Sequence, residues 1–271
     1  LRDVYKRQGE AFDPSPAHLD ARTIRKTLPS GLKLAMLPKK TRGNTVEVSL
    51  QLSIGDVNSL RGKRAHALLT AGLLMRGTQS LSHEALVQEL DRLRSSVRIH
   101  GAGQTVTVTA QTTRAHLTRV IELIAQILKE PALDAGSLDV VKQEMMSTLT
   151  YLQGQPMNEA MRAIGRAQNP YPKDDLRYRP TLEEALAEYR AVDLFAVRAF
   201  HRQFYGTQHA QMALVGDFDK TEAEHWIKTH MGNWTAPITY TRIPEPFYSL
   251  SAQKLVIDVP DKQNAVFMSQ W

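Results

Sequence analysis

Metal-assisted hydrolysis is the first chemistry to weigh, because the chain offers nine His and 28 acidic residues but no Cys. Without thiols, disulfide frameworks, Cys-based zinc centres, iron–sulfur ligation and Cys nucleophiles are excluded, so imidazoles and carboxylates would have to hold any metal. A zinc hydrolase needs two imidazoles one helical turn apart and a carboxylate beside them. Neither HExxH nor HxxEH occurs. The nearest pair, His225 and His230, is five residues apart, and at about 100° per residue the two rings point to different faces of a helix. His66, His83, His100 and His201 stand singly and read as surface or satisfied core residues.

Other chemistries find less support. Gly101-Ala102-Gly103 begins like a dinucleotide fingerprint but lacks the third Gly and precedes a strand, where a helix is required. There is no GxSxG elbow and no RNA-binding signature, and the three Trp are scattered. The formal charge of +6 arises from short clusters such as Lys39-Lys40-Arg42 and Arg61-Lys63-Arg64. These read as solvated surface, and no nucleic-acid partner is expected.

The elements that would position any site are clear in the hydrophobic pattern. Ile24–Leu28 and Leu32–Leu37 flank Pro29-Ser30-Gly31, a hairpin turn. Val46, Val48, Leu50, Leu52 and Ile54 alternate with polar residues, as in a strand with one buried face. Ala65–Met75 reads as a helix. Ser82 caps the next one, with Leu81 and Leu86 as a hydrophobic staple. Val97 and Ile99, then Val106, Val108 and Ala110, form a second hairpin around Gly101 and Gly103. Helices follow from Leu117 to Leu128, from Asp134 to Leu152, and across 156–168, 181–190 and 193–205, the last capped by Asp193. Met212–Val215 is a short buried strand. A final helix over 220–231 has Thr221-x-x-Glu224 in capping-box spacing. The order predicts an α+β fold, an antiparallel sheet with helices packed on one face.

No apolar run approaches the roughly 20 residues of a membrane span. The domain reading is residues 1–22 as a linker, 23–234 as one module, 235–253 as a Pro-rich linker and 254–271 as the start of a second domain. That last stretch carries alternating Leu255, Ile257 and Val259, then Ala265 onward, and is expected to form strands. Leu1–Gln8 fit no later pattern and are set aside as candidate adapter sequence. With Trp271 inside an apolar stretch, the chain is expected to be a fragment.

Six sequence blocks carry a resemblance. Leu28-Pro29-Ser30-Gly31-Leu32-Lys33-Leu34 resembles an "LPNGL" hairpin. Ser53-Ile54-Gly55-Asp56 resembles a "GS-D" strand end, and Leu73-Leu74-Met75-Arg76-Gly77-Thr78 is similar to "MLFKGT". Asn169-Pro170-Tyr171-Pro172, Val197–Tyr205 and Leu214-Val215-Gly216-Asp217-Phe218-Asp219 resemble "HPY", "F---YYxP" and "VVGDFD". In this order and spacing the blocks resemble a module of the M16 (pitrilysin/insulinase-like) zinc metallopeptidases, whose LuxS-like metallohydrolase fold agrees with the α+β reading.

The resemblance also implies what is missing. In active members HFLEH directly precedes MLFKGT, which places the two ligand histidines at Leu68 and Gly72 and the glutamate base at Ala71. The third ligand, a Glu, falls near Thr148 or Leu149; the nearest carboxylate, Glu144, is one turn away. No catalytic or metal-ligating residue is therefore assigned, no peptide-gripping residue is assigned, and no zinc is expected on this chain. The implied role is the inactive half of a zinc metalloendopeptidase. It would wall the chamber and help bind peptide substrate, while a catalytic M16 half, in the same chain or a partner subunit, holds zinc and cleaves. The alternative is a non-enzymatic scaffold of the M16-like core-protein type. A degenerate enzyme using His66 and Glu144 is a third, weaker reading. A periplasmic or other extracytoplasmic location is compatible with the absence of Cys but not decided by it.

Overall fold

In the computed structural model, residues 9–259 and 262–269 are described. Six strands form one sheet: β1 (Ile24–Thr27), β2 (Lys33–Pro38), β3 (Thr45–Ser53), β4 (Ser96–Ala102), β5 (Thr105–Thr113) and β6 (Ala210–Gly216). Their spatial order is β1-β2-β6-β3-β5-β4. The described helices are α1 (Pro16–Arg22), α2 (Arg64–Leu73, extended by a 3-10 turn to Arg76), α3 (His83–Arg92), α4 (Leu117–Lys129), α5 (Ala135–Tyr151), α6 (Pro156–Ala167), α7 (Leu182–Ala191), α8 (Leu194–Phe204) and α9 (Lys220–Met231).

Local sequence explains the hairpins. Gly31 closes the β1–β2 turn at φ 96°, a left-handed conformation that only glycine adopts freely. The β4–β5 turn contains Gly103 at φ 57°. Along β3, Val46, Val48, Leu50 and Leu52 are buried while Glu47, Ser49 and Gln51 are exposed. One face of the sheet therefore meets the helices and the other carries polar side chains, as the alternation predicts.

The sheet is antiparallel except at one seam. β6 runs antiparallel to β3 but parallel to β2, with Leu34 opposite Met212 and Met36 opposite Leu214. Hairpins make antiparallel neighbours, whereas β6 returns only after a long helical excursion, and such a crossover permits a parallel partner. The α+β class is observed, with this one parallel pairing added.

The core lies between the sheet and α4, α8 and α9. Val120, Ile121, Ile124, Ile127 and Leu128 of α4 are fully buried, and each such side chain contributes about 1.5–3 kcal/mol relative to exposure. A second apolar cluster joins Ala65, Leu69 and Leu73 of α2 to Leu138 and Val141 of α5, Tyr189 of α7 and Val197 of α8. It is the smaller of the two and holds the helical layer together away from the sheet.

Two expectations are corrected. Thr221 is not the cap of the last helix: Asp219 is, accepting from the backbone N–H of Thr221 and Glu222, both at 2.9 Å. Glu224 pairs with Lys26, so it cannot close a box. The capping box is instead at Thr181 and Glu184. Second, residues 254–259 and 262–269 form no strand. Their alternating pattern is extended-compatible, but no ladder partner lies beside them among the described residues, and a lone strand leaves its backbone groups to water. The expectations for Leu1–Gln8 and Trp271 fall outside the described residues.

Removing the observed cap with Asp219→Ala should lower unfolding free energy by about 1 kcal/mol. Thr221→Ala should change it by less than about 0.5 kcal/mol, and urea denaturation of the two variants distinguishes the caps.

Candidate functional site

The positions singled out in the sequence do converge. Leu68, Ala71 and Gly72 lie on α2, Thr148 and Leu149 on α5, and the two helices pack together. What converges is apolar. Leu68, Met145, Met146 and Leu149 are partly buried and pack on the cluster centred on Leu69, Leu73 and Val141. Thr148 is exposed and its hydroxyl donates to the Glu144 carbonyl at 2.9 Å.

Two close approaches define this seam. Ala71 is 4% exposed and faces Gly101 of β4, where an added Cβ would overlap the Ala71 methyl. Gly72 faces α5, where an added Cβ would lie 2.9 Å from both Met145 Cε and Val141 Cγ1. Helix α2 is thus held against an edge strand on one side and a neighbouring helix on the other. A side chain at 72 would press on Val141 and on the end of Met145, and at 71 the Ala71 methyl already lies against the Gly101 backbone.

These residues do not fit a zinc ion. Leu68, Ala71, Gly72 and Leu149 carry no side-chain donor atom, and Thr148 uses its hydroxyl on its own helix. Glu144, the nearest carboxylate, is engaged by Arg76 at the end of α2. Among the described residues no group of three or more His, Asp or Glu is placed to hold a metal.

The remaining candidates are separated. His66 rests beside Phe200 of α8, ring centroids 6.5 Å apart, whereas Glu144 is held on α5 by Arg76, so these two groups sit against different helices. The buried Nδ1 of His66 has no hydrogen-bond partner. Burial pushes its pKa below the ordinary value, Lys63 adds to that shift, and Asp193 opposes it. His225 and His230 both pack on Trp226, at 5.2 and 5.7 Å between centroids. Gly101-Ala102-Gly103 forms the end of β4 and its turn. His201, fully inside the core, hydrogen-bonds the Leu128 carbonyl at 2.7 Å, and burial likewise lowers its pKa.

Sequence reasoning missed the Arg76–Glu144 pair and the fit of Gly101 to Ala71. The second had a signal: Gly101 interrupts an otherwise alternating strand, which marks a place where another backbone comes close.

Residues 191–270 match the family described as the peptidase M16 inactive domain. The match takes in α8, β6 and α9, and with them the blocks Val197–Tyr205 and Leu214–Asp219. The fold agrees over most of the chain with a protease from Helicobacter pylori, TM-score 0.68 at 18% identity, covering 83% of this chain and 53% of that one. A peptidase M16 inactive domain from Pseudomonas fluorescens gives TM-score 0.68 at 18% identity, covering 83% and 54%.

The chain's last third matches that family, and its fold is one that M16-type proteases share. The periplasmic protease PqqL from Escherichia coli shares the fold as well, with TM-score 0.65 and 14% identity over 88% of this chain and 26% of that one. No curated protein sequence matches the chain. The chain spans about half the length of the first two solved chains, 53% and 54%, and at these identities the structural likeness speaks for fold alone.

Two outcomes test the seam. Gly101→Ala should destabilise by about 1–3 kcal/mol through forced separation of β4 and α2, measurable by thermal or urea unfolding. Neutral His66 is the form the fold favours, so its contribution is present above the ordinary value of 6.5 and is lost as pH falls below it. An NMR titration should place its midpoint below 6.5, and His66→Phe should weaken the loss of stability between about pH 7 and pH 5.

Proposed function

We propose that this chain is the non-cutting half of an M16-type metalloendopeptidase, with residues 23–234 as one module, 235–253 as connector and 254–271 as the beginning of a second domain. The observation that carries the reading is the apolar seam at Leu68, Ala71 and Gly72, where helix, edge strand and neighbouring helix close on one another in a fold otherwise of the protease type. Zinc and hydrolysis of the peptide bond belong, in this reading, to a catalytic half in the same chain or a partner subunit.

The work left to this half is to wall the chamber and hold peptide. β4 is an edge strand of the sheet, and the outer backbone N–H and C=O groups of an edge can accept an extended peptide as a further strand. Such pairing depends on the peptide backbone, which suits a site that must hold many sequences. Arg98 and His100 alternate outward along this edge strand and add donors to the rim.

Two measurements decide it. Metal analysis and a peptidase assay on the full chain should find no stoichiometric zinc and no cleavage; tight zinc binding together with hydrolysis overturns the assignment. An unfolded peptide carrying a photoreactive group should cross-link to residues 96–102. Cross-linking nowhere on the chain favours the alternative, a scaffold of the M16-like core-protein type.

A further inference from the structure

The backbone does not leave the module freely after α9. It is held at Trp234, Ala236, Ile238, Thr241, Ile243 and Pro244. The Thr207 hydroxyl and N–H donate to the Trp234 carbonyl at 2.7 and 2.8 Å. Gln208 accepts from the Ala236 N–H at 3.0 Å and donates to its carbonyl at 2.9 Å. The Ile238 N–H donates to the Gln203 carbonyl at 3.1 Å and the Thr241 N–H to the Gly55 carbonyl at 3.0 Å.

Two side chains make the farther clasps. Gln104, in the β4–β5 turn, donates to the Thr241 carbonyl at 2.9 Å and accepts from the Ile243 N–H at 2.7 Å. The same amide also donates to the Gly55 carbonyl at 3.0 Å. Arg177 donates to the Pro244 carbonyl at 2.6 Å. Asp175, 5% exposed, fixes Arg177 through Nε at 2.9 Å and Nη2 at 2.8 Å. The Tyr171 ring lies 3.8 Å from the guanidinium and meets Tyr248 edge-on at 5.8 Å. Ile243 is 7% exposed and joins the main core.

A hinge needs free φ and ψ at successive residues, and here few are free. Almost every second peptide is anchored, Pro237 and Pro244 fix their own φ, and one side chain is in the core. The clasps also act on backbone groups, so they set direction and register whatever the segment's own side chains are.

We propose that residues 234–244 are a strut, not a hinge, with Gln104 and Arg177 as its positioning residues, and that reorientation of the following segment is confined to residues beyond Tyr248. Residues 244–258 are all exposed, and within that run the contacts of Pro244 with Arg177 and of Tyr248 with Tyr171 hold only the first five residues to the module. This proposal stands independently of the function proposed above.

Trypsin offers a direct test, because Arg242 and Lys254 are both exposed but only Arg242 lies in the strut. On the full chain, with fragments mapped by mass spectrometry, cleavage after Lys254 should be at least about tenfold faster than after Arg242, since proteolysis follows local opening. In Gln104→Ala that ratio should fall to within about threefold, with the β3 and β5 amides still protected from hydrogen exchange. Equal rates in the parent, or an unchanged ratio in the variant, overturn the proposal. Should Gln104→Ala not fold, Arg177→Ala is scored by the same ratio and the same two outcomes.

Discussion

The spacing of α2 from β4 and α5 is the constraint on which the rest of the helical layer depends. With Ala71 against Gly101 and Gly72 against Val141 and Met145, the helix sits as near to its neighbours as backbone and methyl groups allow. That proximity brings Leu68, Met146 and Leu149 onto one apolar cluster with Tyr189 and Val197, joining α2, α5, α7 and α8. Interiors are packed too densely to accept new volume without shifting their walls. In this module the residues at 71 and 72 that carry no metal-donor atom are also the ones that let α2, β4 and α5 pack so closely.

Most of the architecture was legible because burial in a one-sided sheet writes itself as alternation. Val46 to Leu52 and Val106 to Ala110 have inward positions that could be read directly. Asp193 and Ser82 were readable as caps because their side chains act on the residue three positions away. Thr221 misled because two acidic or hydroxyl residues lay near one helix start, and only the chain's path decides which of them has the extended backbone a cap requires. The parallel β2–β6 seam was not legible at all, since local pattern carries no information on which distant strand becomes a neighbour.

The site divided in the same way. Family spacing located positions 68, 71, 72 and 148–149, and the structure places them on packed helices. The Arg76–Glu144 pair and the clasps of Gln104 and Arg177 were invisible because each joins residues far apart in sequence through polar groups that have no periodicity. The segment after Trp234, rich in Pro and Tyr, read as a linker for the opposite reason. Its own residues are ordinary for extended chain, and what immobilises it is written in Gln104, Arg177, Gln208 and Thr207.

The central position of β6 has a consequence for how the protein comes into being. Strands β1 to β5 are all synthesised before Ala210 emerges, yet β2 and β3 touch only through β6. Until then the nascent chain can form a two-stranded hairpin and a three-stranded β3-β5-β4 sheet, each with an open edge that the native state hides. Unpaired edges of this kind recruit other strands, and long-range pairing is slow to form. The growing polypeptide therefore passes through a stage in which two sheet fragments wait for their keystone, and protection of those edges on the ribosome becomes part of what the sequence demands from its cell.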